Sequence, residues 1–206
     1  KLIEADWKDA FDLISEKVAS VDPQKIVGIA GDLVDCESVT SLKDLLLALG
    51  SNQFDCRQDG AFLDSGNRGN YIFNTTISRI EEADACLLIG SNPRIEAPIL
   101  NARLRKAWIE RGLKVGAIGA PGDLTYPVDY LGAESKVLED ISLGIHPFCK
   151  VLESAEKPML ILGQGALSRP DGDVIASMAC KIVQRTGMVH GNWNGFNVLH
   201  VAAGRV

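Results

Sequence analysis

Aromatic residues, histidines and closely spaced cysteines are all scarce in this 206-residue sequence, and each shortage removes a class of function. Aromatics make up 6% of the chain, too few for the stacking platforms that hold single-stranded nucleic acid. Basic residues are outnumbered, with 21 Lys plus Arg against 27 Asp plus Glu and a net charge of -6. A surface of that sign repels phosphate backbones, which excludes a general nucleic-acid binder. No apolar run approaches the roughly 20 residues that cross a bilayer. The opening Lys1-Leu2-Ile3-Glu4-Ala5-Asp6 has no initiator Met and no signal-peptide pattern, so the sequence reads as a piece of something longer. The five cysteines, Cys36, Cys56, Cys86, Cys149 and Cys180, never come closer than twenty residues. No C-x-x-C pair begins a zinc or iron–sulfur site, and scattered thiols of this kind point to a reducing compartment.

What the sequence does have is alternation. Trp7, Ala10, Phe11, Ile14 and Val18 recur at helical steps, and Asp22-Pro23 ends that helix. Residues 25–30 (KIVGIA) read as a buried strand, and Asp35 is placed to cap a helix that runs to about Leu49 and stops at Gly50. Residues 51–75 look irregular, with 64–70 a loop by composition. Beyond them the pattern predicts a short helix over 76–83, a strand over 85–89 and a helix over 95–111. A strand over 114–118, a Gly/Pro loop over 119–127 and helices over 135–143 and 147–155 follow. A strand over 159–162 and a helix over 173–186 come next, and residues 197–203 read as the start of a further helix. Strands that are continuous apolar runs, alternating with helices, predict an α/β fold: a doubly wound, mostly parallel, Rossmann-like sheet covered on both faces. Two sub-units, 1–75 and 76–206, are expected.

In such a sheet, ligands sit at the carboxyl ends of strands, where glycines let backbone N–H groups approach phosphate. Three turns qualify: Gly28-Ile29-Ala30-Gly31, Gly90-Ser91-Asn92-Pro93 and Gly163-Gln164-Gly165. The third ends in Ser168 where G-x-G-x-x-G needs glycine, and no acidic residue stands ready for a ribose. Tight strand-to-helix turns explain these glycines better than a ligand does. His146, His190 and His200 fall in no nucleophile elbow or zinc helix, although 188–195 is a small-residue loop able to line a pocket. The sequon Asn74-Thr75-Thr76 reads as chance. Positive charge gathers unusually at Arg94, Arg103, Arg105, Lys106 and Arg111. Arg103 and Lys106 share a helix face, which fits an anion site, a docking face or plain solvation.

The stretch 81–106, EEADACLLIGSNPRIEAPILNARLRK, resembles the family of large iron–sulfur subunits of respiratory complex I, the NADH-quinone oxidoreductase, as do 69–77 (GNYIFNTTI), 123–126, 145–148 and 157–159. That resemblance implies a molybdopterin-oxidoreductase-like α/β region, of the formate dehydrogenase kind, lying apart from the ferredoxin-like part that carries 2Fe-2S and 4Fe-4S clusters. It implies membership of a peripheral membrane assembly that couples NADH-to-quinone electron transfer to proton translocation. The location is then the cytoplasmic face of the bacterial inner membrane or the matrix side in mitochondria. Partners would be other domains of the same subunit and neighbouring complex I subunits, with no nucleic acid and only indirect membrane contact.

Departures from pterin-binding relatives stand beside the matches. Their second strand commonly ends in a carboxylate, whereas this one ends Ile118-Gly119-Ala120-Pro121, with Asp123 displaced. Cys56 falls about where relatives place a metal ligand, but Asp55, Arg57 and Gln58 do not reproduce the pattern. Gly90, Asn92, Pro93 and Glu96 therefore read as a vestigial phosphate turn, with no catalytic residue, no cofactor and no metal held by this stretch. Arg94, Arg103, Arg105 and Lys106 are the expected interface. A working molybdopterin enzyme acting on a substrate such as formate is the alternative. A thiamine-diphosphate enzyme's central domain, resembled only at 157–165, is a third.

Overall fold

Asp6 and Pro23 bracket the first helix through the rules that start and stop helices. The computed structural model describes residues 3–31, 34–56 and 59–200, and these fall into two compact units, Lys1–Gln58 and Asp59–Val206. In the first unit, helix α1 (Trp7–Ala19) begins where the Asp6 carboxylate accepts the Asp9 N–H. Strand β1 (Gly28–Ile29) follows, then α2 (Cys36–Ala48), and strand β2 (Phe54–Asp55). Asp35 caps α2 as expected, accepting from Ser38 N at 2.8 Å. Gly50 takes φ +85 just beyond its end. The strand expected over 25–30 shrinks to Gly28–Ile29, because Pro23–Lys25 forms a 3-10 turn. β1 and β2 pair in parallel, so this is one small βαβ unit.

The second unit starts earlier than the sequence-based division at 75/76, because 59–75 are tied into it by hydrogen bonds. Phe62 N donates to Leu167 O, and the Asn74 amide donates to Phe196 O at 2.7 Å. Its strands are β3 (Ala85–Ile89), β4 (Lys114–Ile118), β5 (Asp129–Gly132), β6 (Pro158–Gly163), β7 (Val189–His190), β8 (Trp193–Asn194) and β9 (Phe196–Leu199). The helices are α3 (Pro93–Glu96), α4 (Pro98–Arg111), α5 (Ser135–Leu143), α6 (Cys149–Ser154), α7 (Gln164–Leu167) and α8 (Gly172–Arg185). Five strands make one sheet in the order β5-β4-β3-β6-β9, parallel throughout, while β7 and β8 form a separate hairpin. The order reverses between β3 and β6, as in a doubly wound sheet.

Side chains leave a strand on alternate faces, and the core divides accordingly. Leu87 and Leu160 join a cluster with α5, α6 and α8, whereas Leu88 and Ile161 join one with α4. Both faces are thus buried, which is why β3 and β6 read as unbroken apolar runs. The single helix expected over 95–111 is instead two: Pro98 pushes Ala97 out of the helical region, to φ -149 and ψ 72. The helix expected from 197 is overturned. Residues 196–199 are a strand beside β6, in register Leu160↔Phe196, and 201–203 lie outside the described residues. Asn197 is fully buried there, and its amide donates to Thr75 Oγ1 at 2.8 Å and Gly195 O at 3.1 Å.

Candidate functional site

Ligand chemistry in this topology belongs at the carboxyl ends of β3, β4 and β6, and a cleft of about 450 Å³ lies there. Two of the three turns that sequence reasoning selected, 90–93 and 163–165, line it, and the third, 28–31, does not. Gly90 has φ +60, and a Cβ there would stand 2.5 Å from that of Ala166. A Cβ on Gly163 would meet Gly90 O at 2.6 Å. The turns after β3 and β6 therefore touch each other across the switch point, and both positions demand glycine for that close approach.

Four donors of the turns after β3 and β4 are engaged within the protein. Asn92 N donates to Glu96 Oε1 at 2.6 Å, and Ser91 Oγ donates to Glu96 Oε2 at 3.1 Å. Gly90 N is bonded to Ile118 O, and Gly119 N to Gly132 O, both at 2.9 Å. Pro93 has no N–H to offer. The charge in the cleft is also of the wrong sign for a phosphate. Arg169 lines it but is held by Asp171 through two hydrogen bonds, Nε to Oδ1 at 2.7 Å and Nη2 to Oδ2 at 3.0 Å. That pairing keeps the Asp171 carboxyl below its ordinary range. Glu96 and Glu134 remain as further carboxylates on the wall. Glu134, Tyr130, Arg169 and Asp171 were not selected from the sequence. They arrive from two separate segments, 130–134 and 169–171, and no spacing signals their meeting. None of the four donors named is open to a dinucleotide's phosphate.

The four cations expected at an interface are placed around α3 and α4, and all four are engaged by their own chain. Arg94 Nη1 donates to Asp123 O at 2.9 Å and to Asp123 Oδ2. Asp123 titrates below its usual value because Thr125 N donates to it, with Arg94 adding to the effect. Arg105 Nε donates to Thr125 O at 3.3 Å, and Thr125 holds the unusual φ of +72 for a non-glycine. Arg103 and Lys106 both bond Glu81, the lysine at 2.7 Å, and together lower the Glu81 pKa. Between these pairs Ile95 and Ile99 stand 77% and 70% exposed.

The remaining candidates serve structure. Asn74 of the sequon donates to Gly69 O and Phe196 O, and Thr75 Oγ1 donates to Asn194 O. His146 Nδ1 accepts from Phe148 N, His190 Nδ1 lies 2.8 Å from Gly187 O, and His200 Nε2 lies 2.7 Å from Asp59 Oδ2. Cys56 is exposed, Arg57 and Gln58 lie outside the described residues, and burial pushes the Cys86 thiol far up. Among the described residues no three His, Cys, Asp or Glu side chains group as metal ligands. A second cluster was missed from sequence. At the amino end of the sheet Glu82 binds Arg79 and Lys157, and both cations stack on Trp193, at 5.3 and 5.7 Å.

The family model for molybdopterin oxidoreductases matches residues 1–206. The chain belongs to that family. Among curated relatives it is 45% identical over 200 residues to the NADH-quinone oxidoreductase G subunit of Rickettsia conorii, covering 97% of this chain and 30% of that protein. It is 44% identical over 200 residues to the G subunit of Rickettsia prowazekii, with the same coverage of both chains. The protein of that name from Rickettsia bellii is 41% identical over 206 residues, 100% of this chain and 30% of its own. The chain thus spans 30% of the length of the relatives it matches.

Proposed function

We propose that this chain is a non-catalytic, structural part of the large iron–sulfur subunit of NADH:quinone oxidoreductase, complex I. The observation that carries the reading is the Glu96 carboxylate bound to Asn92 N and Ser91 Oγ, at the place where a cofactor phosphate would bind. Identity of 41–45% to these NADH-quinone oxidoreductase proteins along the whole chain supports the same reading. The role is mechanical. Electron relay requires fixed spacing between redox centres, and a sheet packed on both faces is a stiff support. On this reading the 2Fe-2S and 4Fe-4S clusters belong to another part of the subunit, and this part holds no cofactor. The assembly works at the cytoplasmic face of the bacterial inner membrane or its matrix equivalent. No helix among the described residues is long and apolar enough to cross a membrane.

Docking to neighbouring parts of the complex is assigned to the surface around Ile95 and Ile99. Arg94 and Arg105 shape it by pinning the 123–125 loop, and Arg103 and Lys106 border it on α4. Ile95→Glu in the longer subunit is expected to lower assembly of the complex while leaving this chain folded by circular dichroism.

The direct test is chemical. Purified subunit, denatured and oxidised, is assayed for pterin fluorescence and for molybdenum and tungsten. The expected result is neither pterin nor metal at stoichiometric level. A stoichiometric pterin would establish the alternative, a working molybdopterin oxidoreductase of the formate dehydrogenase kind, which family membership by itself favours.

A further inference from the structure

The unit Lys1–Gln58 is built as only part of an α/β layer. Its strands β1 and β2 pair with each other alone among the described residues, in parallel register Gly28↔Phe54 and Ile29↔Asp55. One face of this pair is covered: a Cβ on Gly28 would run into Leu46 and approach Leu42 of α2. The other face is bare among the described residues. Val27 and Ile29 leave the strand on the side opposite Gly28 and stand 62% and 61% exposed. Helix α1 buries no residue at all, although Trp7, Phe11 and Ile14 form one apolar stripe along it. Trp7 and Phe11 stack on each other with ring centroids 5.7 Å apart. Parallel sheets are stable when both faces are covered and more strands are present, and this unit satisfies neither condition.

We infer that the bare β1–β2 face and the Trp7–Phe11–Ile14 stripe of α1 are an interaction surface. Its occupant is a further α/β segment of the same, longer polypeptide, which adds strands parallel to β1 and β2 and closes the layer. The relatives argue for an occupant in the same polypeptide: they match this chain over 97–100% of its length, yet that match is 30% of theirs. The chemistry of the occupant follows from the surface. It brings an apolar helix or strand face and free backbone donors and acceptors for a parallel ladder, and it brings no cluster of charge. Such a surface is needed whatever the part played in electron transfer.

Hydrogen exchange read by mass spectrometry tests it, on the 206-residue chain and on the longer polypeptide that contains it. Amides of 7–19, 28–29 and 54–55 are expected to exchange about tenfold or more slowly in the longer polypeptide. Those of β3 and β6 should be unchanged. Equal exchange in the two chains would overturn the inference. So would protection that depends on concentration in the short chain, which identifies a second copy, or protection that appears only when other subunits are added. Phe11→Asp supplies the second arm. It is expected to leave the thermal midpoint of the short chain where it is and to abolish the extra protection in the longer one; a variant that unfolds the short chain, or that keeps the protection, refutes the assignment.

Discussion

The two units are made from one composition by opposite rules. In Asp59–Val206 the apolar residues alternate into two buried clusters, one on each face of a five-stranded sheet. In Lys1–Gln58, Ala30 and Leu46 are the buried hydrophobics among the described residues. Of the 22 large hydrophobic residues that stand exposed among the described residues, twelve lie in this shorter unit. Apolar content is therefore not what separates them. The difference is whether the topology provides a second layer to bury it, and it teaches that a helix as amphipathic as α1 reports a need for a partner and not the presence of one.

The sharpest way to break that comparison is to cut the same side chain in each unit. Leu160→Ala removes a fully buried side chain from the centre of β6 and is expected to cost about 3–4 kcal/mol. Leu13→Ala, on α1 with the leucine 57% exposed, should stay within about 0.5 kcal/mol. Urea unfolding monitored by far-UV circular dichroism measures both. Similar losses would mean that α1 is packed in solution.

Glycines sharpen the contrast within the second unit. Gly112 ends α4 at φ +72, and a Cβ there would have nothing within 4 Å, so Gly112→Ala should cost about 1–2 kcal/mol from backbone strain alone. Gly90 has a similar φ of +60 but faces Ala166. Gly90→Ala should therefore cost about 1–3 kcal/mol beyond the Gly112 change. If the two changes cost the same, the turns after β3 and β6 do not touch in solution, and the closed cleft loses its support.

How much of this was legible follows from the same physics. β3, β4 and β6 could be read because a strand buried on both faces is a continuous apolar run bounded by turns. The glycine turns could be read because close approach leaves one residue type. β5 could not: Asp129 and Tyr130 are exposed on the sheet edge, and four residues carry no periodicity. β9 could not either, because Asn197 at its centre looks polar until Thr75 and Gly195 are seen to satisfy it. The cations of 94–106 were visible as charge, but their partners Glu81 and Asp123 lie 22–29 positions away from the residues they bind. Distance along the chain hides ion pairs, and only the fold shows that these charges are already engaged.

Acid titration separates the two ends of the sheet. Glu82 lies at the amino end, and hydrogen bonds from Arg79 and then Lys157 hold its pKa down to about 2 from an ordinary 4.5. A folded pKa below the unfolded one contributes stability that is full above about 4.5 and is lost as pH falls toward about 2. The side chain is one-third exposed, so solvent screening limits the contribution to about 1 kcal/mol. Glu82→Gln should flatten the stability curve between those pH values while changing little at pH 7 beyond that amount. An unchanged acid limb would show that the Arg79–Glu82–Lys157 cluster is open in solution.

The smallest effect concerns the carboxylate that two cations share. Arg103 and Lys106 both bond Glu81 and sit three residues apart on α4, close enough to repel each other. Removing one cation therefore relieves a repulsion and leaves Glu81 with the other, whereas removing Glu81 leaves two neighbouring cations with no shared counter-charge. Glu110, 3.9 Å from Lys106, is a second carboxylate whose pairing the loss of the lysine also removes. The thermal midpoint should fall in the order Glu81→Gln most, Lys106→Met next and Arg103→Met least. The gap between Glu81→Gln and the other two should narrow as salt is raised, because these groups are exposed. An order with Arg103→Met costlier than Lys106→Met would mean that the pair to Glu110 is open in solution, and the surface bordering Ile99 would then be organised through the segment before β3 and not along α4.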